Sequence, residues 1–190
     1  IIKNSTYTNK EYCKKLLQND LFIACAWNKC INREFICKHE LFFEKGLRSE
    51  DMDWCGNILF HLPQMTCIDK QPYVYRQQRI DSITNTVNQS HLYDIVKMIN
   101  TALTKATYLN SEDKFNYLSF FAVQYLTLLF NLMELNIEDA PQLSKEVYGL
   151  RSIMKYDLNP KVKIANRFMK IFGYQTMAKV LRIYVLKKKR

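Results

Sequence analysis

A chain of 190 residues, 48% of them hydrophobic and only four each glycine and proline, can bury a substantial core and is too regular in composition for disorder or a loop-rich scaffold. Its net charge of +10 is unevenly placed: residues 1–154 hold 17 basic and 17 acidic side chains, whereas residues 155–190 hold 11 basic and one acidic. A neutral body excludes a protein that is basic throughout, and it assigns any anionic partner, phospholipid or nucleic acid, to the tail.

The chain opens on Ile1-Ile2-Lys3-Asn4 with no initiator methionine and no signal-peptide pattern, so a boundary within a longer protein is expected. Tyr12, Leu16 and Leu17 fall at helical spacing and predict a helix over 9–19. Ile23, Trp27, Cys30 and Ile31 do the same and predict a second over 21–35. Residues 39–47 (HELFFEKGL) read as an extended segment ending in a turn. From Asp51, Met52, Cys55, Ile58, Leu59 and Leu62 recur at threes and fours as far as Pro63. This predicts a helix with Ser49 as its N-cap and the acidic pair Glu50-Asp51 at its start.

Residues 65–68 and 72–76, rich in branched and aromatic side chains, predict two strands forming a hairpin or an edge pair. Helical patterns follow over 91–109, 112–135, 142–154 and from 161 onward, the last interrupted by Gly173. Residues 118–135 are apolar but broken by Gln124, Asn131 and Glu134, which suits a buried helix better than a membrane span. The expected class is therefore mainly α with a small β component. A mixed portion is expected over 1–88 and a helical domain with a basic tail over 89–190.

Six cysteines (Cys13, Cys25, Cys30, Cys37, Cys55 and Cys67) stand at irregular spacings without a C-x-x-C. With only three histidines for company, they read as reduced thiols of a cytoplasmic protein rather than a zinc site or a disulfide frame. Asp51-Met52-Asp53 spells the D-x-D with which many nucleotide-sugar enzymes hold a divalent cation. Such a pair normally projects from a strand end, and this one opens a helix, so no metal is assigned to it. An acidic first turn complements the exposed N–H groups and dipole of a helix start, which is reason enough for Glu50 and Asp51 to stand there. A carboxylate so placed can also accept a proton from a hydroxyl nucleophile.

Taken in order, Ala26-Trp27-Asn28-Lys29, Leu41-Phe42-Phe43-Glu44-Lys45-Gly46-Leu47, Ser49-Glu50-Asp51, and Tyr73-Val74-Tyr75-Arg76-Gln77-Gln78-Arg79 followed by Asp81-Ser82-Ile83-Thr84 resemble the C-terminal part of the bacterial family 2 glycosyltransferases of the A-type fold. The resemblance covers about residues 20–85 and implies an α/β catalytic domain of the GT-A type followed by a helical bundle. It implies an inverting transfer from a nucleotide-sugar donor to a saccharide or lipid-linked acceptor in cell-surface polysaccharide synthesis. Asp51 would be the general base and Glu50 an orienting carboxylate beside it.

On the same resemblance, Trp27 and Lys29 belong to the acceptor side, and Arg76, Arg79 and Ser82 to a segment over the donor diphosphate, with Thr84 a lesser candidate. The nucleotide-binding half, with its divalent cation (Mg or Mn), is expected upstream over roughly 100 residues or more. Without it the chain by itself should neither hold donor tightly nor turn over.

In the last helical pattern Lys163, Arg167 and Lys170 recur at i, i+4 and i+7, and Lys187, Lys188, Lys189 and Arg190 close the chain. This basic amphipathic helix is read either as lying on the anionic inner face of a membrane or as a bundle helix whose basic side faces water, and the bundle could also support a homodimer. The competing reading is a non-enzymatic helical adaptor or nucleic-acid-binding module that uses the same helix on phosphates. A neutral body and the lack of any nucleic-acid motif weigh against nucleic acid as the partner.

Overall fold

The computed structural model describes residues 5–68, 70, 73, 74, 76, 88–135 and 140–188. The chain is mainly helical. A short strand β1 (Ser5–Thr8) leads directly into helix α1 (Asn9–Gln18), and α2 (Arg33–Lys38), α3 (Glu50–His61) and strand β2 (Gln64–Cys67) follow. The rest is helical: α4 (Gln89–Lys105), α5 (Ser111–Glu134), α6 (Pro141–Gly149) and α7 (Pro160–Lys188). Tight 3-10 turns at Ala106–Tyr108 and Leu150–Lys155 extend α4 and α6.

Asparagine starts four of the helices for one physical reason: its short side-chain carbonyl accepts from the backbone N–H groups that a first turn leaves unpaired. Asn32 accepts from Glu34 and Phe35, Asn88 from His91, and Asn110 from Glu112 and Asp113. Asn159 accepts from Lys161 at 2.9 Å, just before Pro160. The Asn159 amide also donates to Leu17 O and Asp20 Oδ1, and this ties the start of α7 to the end of α1 across the whole chain.

Helix α5 is the centre of the fold, with α1, α3, α4 and α7 packed around it. Leu118, Phe120, Ala122, Tyr125, Leu128 and Leu129 are completely buried. Its polar residues are satisfied internally, Ser119 Oγ donating to Phe115 O at 2.6 Å and Tyr125 Oη to Val147 O at 3.1 Å, so burial leaves no orphaned group there. By length and composition α5 could cross a membrane, but 72% of its apolar window is buried inside the protein, as a core helix requires. The apolar cluster is continuous across Asn88, running from Leu41, Trp54 and Ile58 to Leu92, Phe121 and Ile153.

Several expectations change. The helix expected over 21–35 shrinks to Arg33–Lys38, and residues 21–32 form a looped segment. In that loop the Lys29 ammonium bonds Ile23 O and Cys25 O, both at 2.7 Å, and Asn28 Oδ1 at 2.8 Å, satisfying backbone carbonyls that have no helical partner. Strand β2 forms as expected, and the partner shown is β1, antiparallel, with Ser5 opposite Cys67 and Thr8 opposite Gln64, whereas the expected partner was the 72–76 stretch. Of that second stretch, Tyr73, Val74 and Arg76 are in no strand and the remainder lies outside the described residues. Gly173 divides α7 as expected, at φ 80° and ψ 161°, a conformation in which a side chain would be strained.

Candidate active site around the start of α3

Helix α3 starts with an acidic turn, Glu50, Asp51 and Asp53. Ser49 occupies the N-cap position in the left-handed region (φ 56°), and its side chain caps nothing, contrary to expectation. Its hydroxyl instead lies 2.5 Å from His91 Nε2 on α4, and the Arg48 N–H donates to Asp94 Oδ2 at 3.2 Å. The turn before α3 is thus fastened to α4. Trp54 Nε1 donates to Leu41 O at 2.9 Å and Phe43 stacks on Trp54 at 5.1 Å, which pins the 39–47 segment against the same helix.

The two carboxylates of the D-x-D serve different surroundings. Positions i and i+2 of an α-helix point about 200° apart. Asp51, half-buried, acts electrostatically on the thiols of Cys25 and Cys55. Asp53, also half-buried, accepts from Asn57 Nδ2 at 2.8 Å and interacts with Lys105, Glu44 and Lys97. Such a pair does not fit a shared cation, and among the described residues no three His, Cys, Asp or Glu side chains are grouped to hold one. The Mg or Mn that the resemblance implies has no matching residues in the described part of this chain.

Around Asp51 the structure draws together stretches that are distant in sequence. Cys55 on α3 is fully buried, and its Sγ lies 3.8 Å from Cys25 O in the 21–32 loop. Burial pushes both thiols up, Cys55 to about 11, while Lys29 opposes the rise and Asp51 adds to it. Lys29 also sits 4.7 Å from the Phe22 ring. Trp27, at the outer edge of this loop, is 42% exposed and therefore no core residue. Its indole stacks on Tyr73, centroids 4.9 Å apart and planes 24° from parallel.

Glu50 and Arg76 are exposed, as are Lys163, Arg167, Lys170 and Lys187 on α7, far along the chain from α3. Arg79, Ser82, Thr84, Lys189 and Arg190 lie outside the described residues, as does the side chain of Lys188.

One polar site was not anticipated. A cavity of about 240 Å³ lies between α3, α4 and the 42–47 segment, with Phe42 and Leu47 among its walls. Lys105 Nζ donates to Asn57 Oδ1 at 2.5 Å, Asn57 in turn to Asp53, and Lys97 Nζ pairs with Glu44 Oε1 at 2.6 Å. Burial pushes the Asp53 carboxyl up, and Lys105 pulls it back. The i, i+4 spacing of Asp53 and Asn57 was legible in the sequence, but their meeting with Lys97 and Lys105 depends on how α3 crosses α4.

No family model, no curated protein and no solved structure matches this chain.

Proposed function

We propose that this chain is the acceptor-side, C-terminal part of an inverting nucleotide-sugar-dependent glycosyltransferase of the GT-A, family 2 kind, with Asp51 as general base. The observation that carries the reading is convergence. The loop that Lys29 fastens, and that carries the exposed Trp27–Tyr73 stack, meets α3 where Cys25 faces Cys55, one turn from Asp51, although loop and helix lie in separate stretches of sequence. A sugar acceptor requires an apolar face for its ring to lie on, which Trp27 offers in this reading, and an oxygen to take the hydroxyl proton, which Asp51 offers.

In this reading Asp51 accepts the proton as the acceptor oxygen attacks the anomeric carbon. The new C–O bond forms on the face opposite the departing diphosphate, which leaves with the bonding electron pair. Glu50, in the same turn, orients the acceptor. Lys29 acts through position, its ammonium holding the backbone that carries Trp27. Arg76, with Arg79 and Ser82, belongs to the donor side, where guanidinium groups suit diphosphate oxygens. Donor nucleotide and cation are assigned to the upstream half.

The test is sugar transfer from labelled nucleotide-sugar donors by the longer protein. Asp51→Asn lowers turnover on the order of 100-fold or more, as loss of a general base does. Asp53→Asn, on the opposite side of α3, leaves it within a few-fold. Near-normal turnover with Asp51→Asn overturns the assignment.

A further inference from the structure

We propose that the outer side of α7 docks on an anionic phospholipid surface, and three independent features of that helix lead there. The first is charge: 11 of the chain's 28 basic residues and one of its 18 acidic residues lie in 155–190. Lys163, Arg167 and Lys170 share one exposed flank of α7, and none of them pairs with a described acidic group.

The second feature is apolar exposure on the same side. Before Gly173, α7 seats Val162 and Asn166 in the core. Turned away from that core, Ile164 is 70% exposed, Ile171 73% and Phe172 55%. At 100° per residue Ile164 and Ile171 lie about 20° apart around the helix, adjacent to Arg167. The water-facing side therefore carries an apolar stripe alongside a cationic one, the division of an interfacial helix rather than of a solvated surface helix.

The third feature is repetition beyond the kink. Met177 and Val185 face inward and Tyr184 leans on Phe130, while Val180 and Ile183, at i and i+3, form a second exposed stripe flanked by Lys179 and Lys187. Both segments of α7 thus present the same combination. Nucleic-acid phosphates would account for the lysines but give isoleucine no partner. A second copy of the chain would bring an equally basic face, and like charges oppose that pairing. A lipid surface satisfies both stripes, headgroups taking the cations and acyl chains the isoleucines. Docking of α7 needs neither Asp51 nor a donor site.

The experiment is co-sedimentation of the whole chain with phosphatidylglycerol-containing vesicles and with pure phosphatidylcholine vesicles, over a range of salt. Binding is expected to the anionic vesicles and to weaken with salt. Lys163→Gln, Arg167→Gln and Lys170→Gln together should lower the partition coefficient on the order of 100-fold. Ile164→Ser with Ile171→Ser should lower it on the order of 10-fold or more. These side chains are exposed, and circular dichroism verifies that the variants fold.

Equal binding to both vesicle types, or anionic binding insensitive to the isoleucine pair, overturns the proposal. So does retention on duplex DNA that the lysine variants abolish while vesicle binding is nil. A dimer in sedimentation velocity that Ile171→Asp dissociates, again without vesicle binding, would assign the face to a second copy instead.

Discussion

Gly56, in the middle of α3, lies so close to Phe121 of α5 that a β-carbon on it would stand 2.3 Å from the ring's Cζ. The contact lets α3 press flat against the central helix, and it sets the depth at which Asp51 and Asp53 sit. Phe121 is itself buried and its ring is no flexible tip that could swing aside.

Gly56→Ala therefore destabilises the protein. Alanine would gain about 1 kcal/mol in helix propensity, but overpacking a filled core costs about 1–3 kcal/mol, and at this separation the clash prevails. Gly149→Ala is the control, because nothing lies within 4 Å of its would-be β-carbon and its backbone is right-handed helical (φ −57°). It should be neutral or stabilising by up to about 1 kcal/mol. Urea denaturation of the two variants should shift the midpoint in opposite directions, or leave Gly149→Ala unmoved.

Thiol labelling should separate the cysteines by position. Cys30 and Cys37 are exposed and should be alkylated first, while Cys25 and Cys55 are buried and should react only on unfolding. Peptide mass spectrometry after timed labelling reads this directly. Burial also raises Cys55 to about 11 from 9.0, and raises the Tyr117 and Tyr125 hydroxyls. For groups raised on folding, the unfolded chain releases protons first. The contribution of Cys55 is thus fully present below pH 9.0 and is lost as the pH climbs through about 11, which thermal melts across that range would show.

The opposite limb belongs to histidine. Burial lowers His61 and His91 from 6.5, with His39 adding to the first and Arg48 to the second, while Asp94 partly restores the latter. Their contribution is complete above 6.5 and is lost as the pH falls through the lower folded values. Tm should fall as the pH drops below 6.5, and fall less in His91→Asn, which has no imidazole to protonate beside Ser49. Asp53, raised by burial, works the other way and only near its own lower range.

Lys29→Met should loosen the 21–32 loop without unfolding the core. Three acceptors lose a charged donor at once, and a hydrogen bond to a charged group contributes about 1.5–3 kcal/mol. Amide exchange at Cys25 and Lys29, whose N–H groups bond within this loop, should speed up on the order of 10-fold or more. The amides of α5 should be unaffected.

The sequence by itself determined the helices, because a 3.6-residue apolar period and an asparagine cap are local properties. The α3, α4 and α5 patterns, the stop at Pro63 and the break at Gly173 could all be read from neighbours a few residues apart. Periodicity misled over 21–35, where Ile23, Trp27 and Ile31 keep helical spacing but the chain loops around the Lys29 ammonium, which bonds Ile23 O and Cys25 O. Nothing local could announce that Ser49 would turn to His91, or that β2 would pair with residues 5–8, far earlier in the chain.

The same holds for the surroundings of Asp51. Its place in an acidic first turn, one turn before Cys55, was evident from the sequence, whereas the company of Cys25 and Lys29 arose only when the loop folded onto α3. Residues remote in sequence meet through the packing of whole elements around α5. Which face of each helix is then left to water, the isoleucines of α7 included, is decided by that packing alone.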